Sequence, residues 1–152
     1  MNEFLDYQTQ DVMTRDVVHV APSTPLAEVE KIFETHDFNG LPVVDDSGRF
    51  VGTVTKHDVL SAFCEDEETV FPPYEQIMKR EVARVMTRDP EFVWPRTPLT
   101  RVIEKLRRGR FKSFPVCDDG VLCGMVARED VLRALRRAAA GERPARAPNG
   151  DR

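Results

Sequence analysis

Two acidic residues stand at equivalent places in two copies of one short pattern. Gly52-Thr53-Val54-Thr55-Lys56-His57-Asp58-Val59-Leu60 returns in altered form as Gly124-Met125-Val126-Ala127-Arg128-Glu129-Asp130-Val131-Leu132. Each copy reads as a strand running into a helix. Thr55 is an N-cap residue by type, which puts Asp58 at the third helical position. An ionised Asp only accepts hydrogen bonds, and its two oxygens can take two at once. A ribose offers two neighbouring hydroxyl donors, and dinucleotide-binding folds set an acidic residue on ribose in this way. The free N–H groups of a helix start favour a phosphate. One short segment could thus serve both parts of a nucleotide. The same spacing also makes a capping box with Asp in place of Glu, and an acid in the first turn suits the helix dipole. In the second copy Ala127 removes the capping hydroxyl while Asp130 stays. A purely capping acid has less reason to stay without the hydroxyl.

Other residues with chemical potential are poorly placed for it. His19, His36 and His57 have no partner at helical spacing, so no metal site is expected. No Gly-x-x-x-x-Gly-Lys loop, Gly-x-Ser-x-Gly elbow or His-Glu-x-x-His pair occurs, so neither an enzyme nor a catalytic cofactor is expected. The cysteines Cys64, Cys117 and Cys123 are odd in number and include no Cys-x-x-Cys pair. Cys117 and Cys123 lie in apolar runs and read as core thiols, which fits a reducing, cytoplasmic setting. The N-terminal residues carry acids where a signal peptide needs bases, and no apolar run is long enough to cross a bilayer. A membrane partner is not expected.

The elements that position the carboxylates are themselves repeated. Val12-Met13-Thr14-Arg15-Asp16 returns as Val85-Met86-Thr87-Arg88-Asp89, and Pro22-Ser23-Thr24-Pro25-Leu26 as Pro95-Arg96-Thr97-Pro98-Leu99. Leu41-Pro42-Val43-Val44-Asp45-Asp46 returns as Phe114-Pro115-Val116-Cys117-Asp118-Asp119. The offset is 73 to this point and 72 beyond it, so one residue is lost in a turn. Each copy predicts β-α-β-β-α: a short β-branched strand (Val17–Val20, Phe92–Trp94), then a helix capped by Thr24 or Thr97 with Pro at its first position. An apolar hairpin and a second helix follow. The first helices place Leu26, Val29 and Phe33 on one face, and Leu99, Val102, Ile103 and Leu106 on the other copy's. Residues 11–63 form the first repeat and 84–138 the second. Residues 1–10 are a flank, 64–83 an acidic loop with a connecting helix, and 139–152 a disordered tail. One repeat alone is near the size where a core becomes marginal, so two are expected to pack against each other, leaving clefts at the seam.

This duplicated pattern resembles the cystathionine-β-synthase (CBS) domain, and the chain resembles a stand-alone tandem CBS pair. The residues that carry the likeness are Val12-Met13-Thr14, Thr24-Pro25-Leu26, Leu41-Pro42-Val43-Val44-Asp45, Gly52 to Leu60 and their second-copy partners, over residues 10–137. The resemblance implies an α+β fold of two repeats packed by a pseudo-two-fold, enclosing two clefts, and a homodimer. It implies a regulatory ligand containing adenosine: AMP, ADP, ATP or S-adenosylmethionine. Carried over by residue, one cleft has Thr55, His57 and Asp58 facing Pro90, Glu91, Phe111, Lys112, Ser113 and Pro115. The other has Glu129 and Asp130 facing Val17, Val18, Phe38, Asn39, Gly40 and Pro42. The Asp58 cleft gains Lys112, with Arg110 near in sequence, as cations for phosphates. It is the expected tighter site, because Ala127 and Glu129 depart from the family's pattern in the other.

The 152 residues are 41% hydrophobic and 32% charged, with a net charge of -4. That charge is unevenly spread: residues 1–82 hold 6 Lys+Arg and 17 Asp+Glu, residues 83–152 hold 16 and 9. A basic half suits an anionic partner, yet neither a helix-turn-helix nor an aromatic RNA motif is present, and nucleic acid is not the expected partner. The expected function is a sensor that binds an adenosine nucleotide between its repeats and transmits the change to a regulated protein. The alternatives are a ligand-free dimerisation scaffold and a nucleic-acid binder working through the basic half.

Overall fold

A computed structural model describes residues 2–64, 73–88, 90–109 and 111–145. The acidic run Glu65–Glu68, Arg110 and residues 146–152 of the expected tail lie outside the described residues. Each repeat gives a helix, an antiparallel hairpin and a second helix. The first has α1 (Leu26–Thr35), β1 (Gly40–Val44), β2 (Phe50–Thr55) and α2 (Lys56–Ser61). After the connecting helix α3 (Tyr74–Met78), the second has α4 (Leu99–Arg107), β3 (Ser113–Asp118), β4 (Val121–Ala127) and α5 (Arg128–Ala139). The two sheets are the separate hairpins β1-β2 and β3-β4, which makes the fold α+β.

The hairpins form where β-branched residues meet turn formers. Leu41 pairs with Val54 and Val43 with Gly52, and the register slips by one residue between Val43 and Val44. The second hairpin repeats that bulge between Val116 and Cys117. The turns explain the change of offset. In the first, Asp45 Oδ1 accepts from Ser47 N at 2.9 Å and Arg49 N at 3.0 Å, and Gly48 takes φ 80°. In the second, Asp119 (φ 50°) and Gly120 (φ 80°) both take left-handed backbone, which closes a shorter loop.

Two expectations about local structure are corrected. The first strands shrink to one bridging residue each: Val20 bridges Val43 and Val93 bridges Val116, both in parallel. Thr24 and Thr97 do not cap helices. Each hydroxyl instead closes the preceding turn, accepting from Ala21 N and Trp94 N, both at 2.9 Å. The helix amides find remote carbonyls: Leu26 N donates to Arg80 O at 3.0 Å and Leu99 N to Tyr7 O at 3.1 Å.

The chain divides into two compact units, residues 18–90, and residues 1–17 with 91–152. The first is cored by Leu26, Val29, Leu41, Val43, Val54, Ile77 and Val82. The second is cored by Leu99, Val102, Leu106, Phe114, Val116, Val126 and Val131, joined by Phe4 and Tyr7 from the N-terminal flank. Full burial of each such side chain stabilises by about 1.5–3 kcal/mol. Glu142, inside the segment read as tail, is tied to this unit by Tyr7 Oη, which donates to its carbonyl at 3.1 Å.

The division crosses the repeats at their leading segments. Val12-Met13-Thr14 lies with the second hairpin, where Thr14 bridges Met125, and Val85-Met86-Thr87 lies with the first, where Thr87 bridges Thr53. Gly52 and Gly124 sit at these approaches.

Cys117 is buried and Cys64 exposed. Burial, helped by the neighbouring Cys123, pushes the Cys117 thiol up to about 12. A bulky thiol reagent at pH 8 should therefore modify Cys64 in the native protein, and Cys117 only after urea unfolding. Equal labelling rates for the two, read by peptide mass spectrometry, would contradict this packing.

Candidate functional site

The β2–α2 junction is built as the sequence implied. Val54 is buried on the sheet's inner side, and Thr55, still extended (φ -112°, ψ 165°), starts the helix. Asp58 N donates to Thr55 Oγ1 at 3.1 Å, and Thr55 N donates to Asp58 Oδ2 at 2.8 Å, completing the capping box. Thr55 Oγ1 also lies 2.9 Å from Asp58 Oδ2. The capping role is therefore real, but it falls on one carboxylate oxygen. The other, Oδ1, receives only Thr87 Oγ1 at 3.4 Å among the described residues. That is long for a hydroxyl bond to an ionised carboxylate, which usually measures about 2.5–2.7 Å. One half of Asp58 holds the helix and the other half remains able to accept.

The β4–α5 junction differs. Ala127 N donates to Asp130 Oδ2 at 2.8 Å, but the Ala127 side chain has no oxygen to return the bond, so only half of the box forms. Asp130 Oδ1 accepts from Arg133 Nη1 at 3.2 Å. Asp130 is buried, whereas Asp58 is partly exposed.

Of the expected site residues, Val18, Phe38, Asn39, Gly40, Pro42, Thr55, His57, Asp58 and Pro90 belong to the 18–90 unit. Val17, Glu91, Phe111, Lys112, Ser113, Pro115, Glu129 and Asp130 belong to the other. Within each unit the start of the hairpin meets the start of the second helix. Asn39 O accepts from Lys56 N at 3.1 Å and Gly40 pairs with Thr55. Lys112 O accepts from Arg128 N at 3.2 Å and Ser113 pairs with Ala127. Gly40 and Thr55, assigned to opposite clefts from the resemblance, are thus paired across one hairpin. His57, Glu91, Phe111, Lys112 and Glu129 are exposed, and Pro42 and Pro115 are buried. Phe111 packs edge-on against Phe114 with ring centroids 5.5 Å apart.

Sequence reasoning missed Thr87 and Arg133. Thr87 was visible only as part of a repeat, with nothing to link it to a carboxylate 29 residues away. Arg133 carried a usable signal: it stands three residues after Asp130 on one helix, the spacing of a helical ion pair. Among the described residues no group of three or more His, Cys, Asp or Glu could hold a metal ion, and no helix is long and apolar enough to cross a membrane.

A duplicated hairpin-and-helix unit with an acid opening each second helix defines a class of tandem-repeat proteins. The family model for the CBS domain matches residues 10–65 and 82–137, and the chain belongs to that family as a CBS pair. It is 30% identical over 150 residues to the chloroplastic CBS domain-containing protein CBSX2 of Arabidopsis thaliana, covering 84% of this chain and 63% of that one. L-aspartate semialdehyde sulfurtransferase of Methanocaldococcus jannaschii is 28% identical over 125 residues, 82% of this chain but only 22% of that protein's length. Among solved structures, CBSX2 in complex with AMP superposes with a TM-score of 0.73 at 29% identity, covering 88% of this chain and 98% of that one.

Proposed function

We propose that the chain is a regulatory module that binds an adenosine nucleotide through Asp58 and passes the change to a protein partner. The observation that carries this reading is the division of labour on one carboxylate. Oδ2 is fixed by the capping box, while among the described residues Oδ1 has only a long contact from Thr87. A pre-oriented acceptor of this kind suits the adjacent hydroxyls of a ribose. The AMP complex of CBSX2 supports the ligand class. Binding would act as a switch only if one arrangement of the protein binds better than another.

A thermal-shift panel of AMP, ADP, ATP and S-adenosylmethionine tests the reading. Ligand at about 100 times its Kd should stabilise by about 2.7 kcal/mol. For a chain of this length that raises Tm by roughly 5–10 °C. A flat response to all four ligands sinks it and favours the scaffold.

Leu60 on α2 and Leu132 on α5 occupy the same repeat position and are 68% and 63% exposed. A homodimer is part of the proposed reading, and these leucines, exposed in both copies, are the residues that test it. Replacing both with Glu should give a monomer by light scattering, and an unchanged mass would count against it.

A further inference from the structure

The two carboxylates differ in what holds their second oxygen. Arg133 Nη1 donates to Asp130 Oδ1 at 3.2 Å, with the Asp130 side chain 10% exposed and that of Arg133 51% exposed. Asp130 Oδ2 is already bonded to Ala127 N at 2.8 Å, so both oxygens are engaged by the chain's own donors. In the first copy the position of Arg133 is taken by Ser61, which brings no cation. Thr14, the counterpart of Thr87, makes no bond to Asp130 among the described residues.

We propose that Arg133 is an intramolecular competitor for the second carboxylate, occupying the acceptor that sugar hydroxyls would need and so biasing nucleotide binding toward Asp58. The inference rests on the reading of Asp58 as a ribose acceptor. A guanidinium on a carboxylate is a charge-assisted pair, and a neutral hydroxyl must displace it without replacing its charge. Because Arg133 is half exposed, the pair is screened, and the competition it exerts is modest rather than absolute. Arg133 thereby weakens the second site without touching the first.

Isothermal titration with AMP and with adenosine tests this on the full chain, using wild type, Asp58→Ala, Arg133→Ser and two double variants, Asp58→Ala with Arg133→Ser and Asp58→Ala with Arg133→Gln. Wild type should bind one nucleotide per chain, and Arg133→Ser should keep that site. In the Asp58→Ala background, Arg133→Ser should tighten the residual binding by roughly fivefold. Arg133→Gln, which keeps the stem and a donor but not the charge, should give a smaller gain in the same direction. Circular dichroism confirms that each variant is folded. No gain in either double variant overturns the competitor role while leaving the Asp58 reading intact. Loss of AMP but not adenosine in Arg133→Ser also overturns it, because Arg133 would then be reading the phosphate. If neither wild type nor Arg133→Ser binds AMP or adenosine, the ribose reading itself has failed, and the competitor role goes with it.

Discussion

Asp58→Ala is expected to weaken nucleotide binding by about 100-fold. Hydrogen bonds to a charged group contribute about 1.5–3 kcal/mol each, and a ribose would present two donors to this carboxylate. Loss of two at the lower end gives about 3 kcal/mol, which is about 100-fold in Kd. The substitution also removes half of the capping box, since Thr55 N loses its acceptor at 2.8 Å. That costs about 1 kcal/mol of stability whether or not a ligand binds. The two effects separate cleanly: the apo Tm should fall by a few degrees, and the ligand-induced shift should shrink to about 1 °C. Asp58→Asn keeps an acceptor for Thr55 N but loses the charge, so its apo Tm should stay nearer wild type while its affinity still drops. An Asp58→Ala protein that keeps wild-type affinity, with only its apo Tm lowered, would reduce Asp58 to a cap.

What could be read from sequence was what is decided locally. The hairpins were legible because Leu41 to Val44 and Phe50 to Val54 flank an Asp-Asp-Ser-Gly turn. The offset change pointed to a shorter second turn, which Asp119 and Gly120 close with left-handed backbone. The first strands were over-read for a definite reason. Val20 N donates to Pro42 O at 3.0 Å and Val44 N donates to Val20 O at 2.8 Å. Continuing that parallel ladder backwards would need an amide from Pro42, which has none. Pro115 stops the second copy in the same way, after Val93 N donates to its carbonyl at 2.9 Å. A β-branched run announces extended backbone, not a partner willing to donate. The misplaced caps share this origin, because the amides of Leu26 and Leu99 are satisfied by Arg80 and Tyr7, far away in sequence. At the site, Thr55 and Asp58 were legible as a local box. Thr87 was not, since its approach to Asp58 depends on a bridge between distant segments.

That bridge is the basis of the second large effect. Gly52→Ala is expected to destabilise the protein by about 2–3 kcal/mol. The cause is steric and not conformational, because Gly52 is not among the glycines with positive φ. A Cβ at position 52 would meet Thr87 O at 2.8 Å and Met86 Sδ at 2.9 Å. Met86 can turn aside, but the Thr87 carbonyl cannot. Thr53 N donates to it at 3.0 Å, and Thr87 N returns a bond to Thr53 O at 2.8 Å. Trimming the flexible neighbour in Gly52→Ala/Met86→Ala should therefore recover little of the lost stability. The second copy repeats the arrangement, with Met13 Sδ at 2.6 Å and Thr14 O at 2.9 Å from a Cβ at Gly124, so Gly124→Ala should behave alike. Gly40→Ala, whose nearest contacts are Thr55 Cγ2 at 3.2 Å and Val54 O at 3.3 Å, should be milder. Denaturant unfolding ranks the three, and amide exchange at Thr53 and Thr87 reports whether the bridge has opened. If Gly52→Ala opens it, the Thr87 hydroxyl leaves Asp58, so Thr87→Ala alone should reproduce any change in nucleotide affinity without the loss of stability. A Gly52→Ala protein as stable as wild type, with both amides still protected, would show that the two segments do not meet this closely.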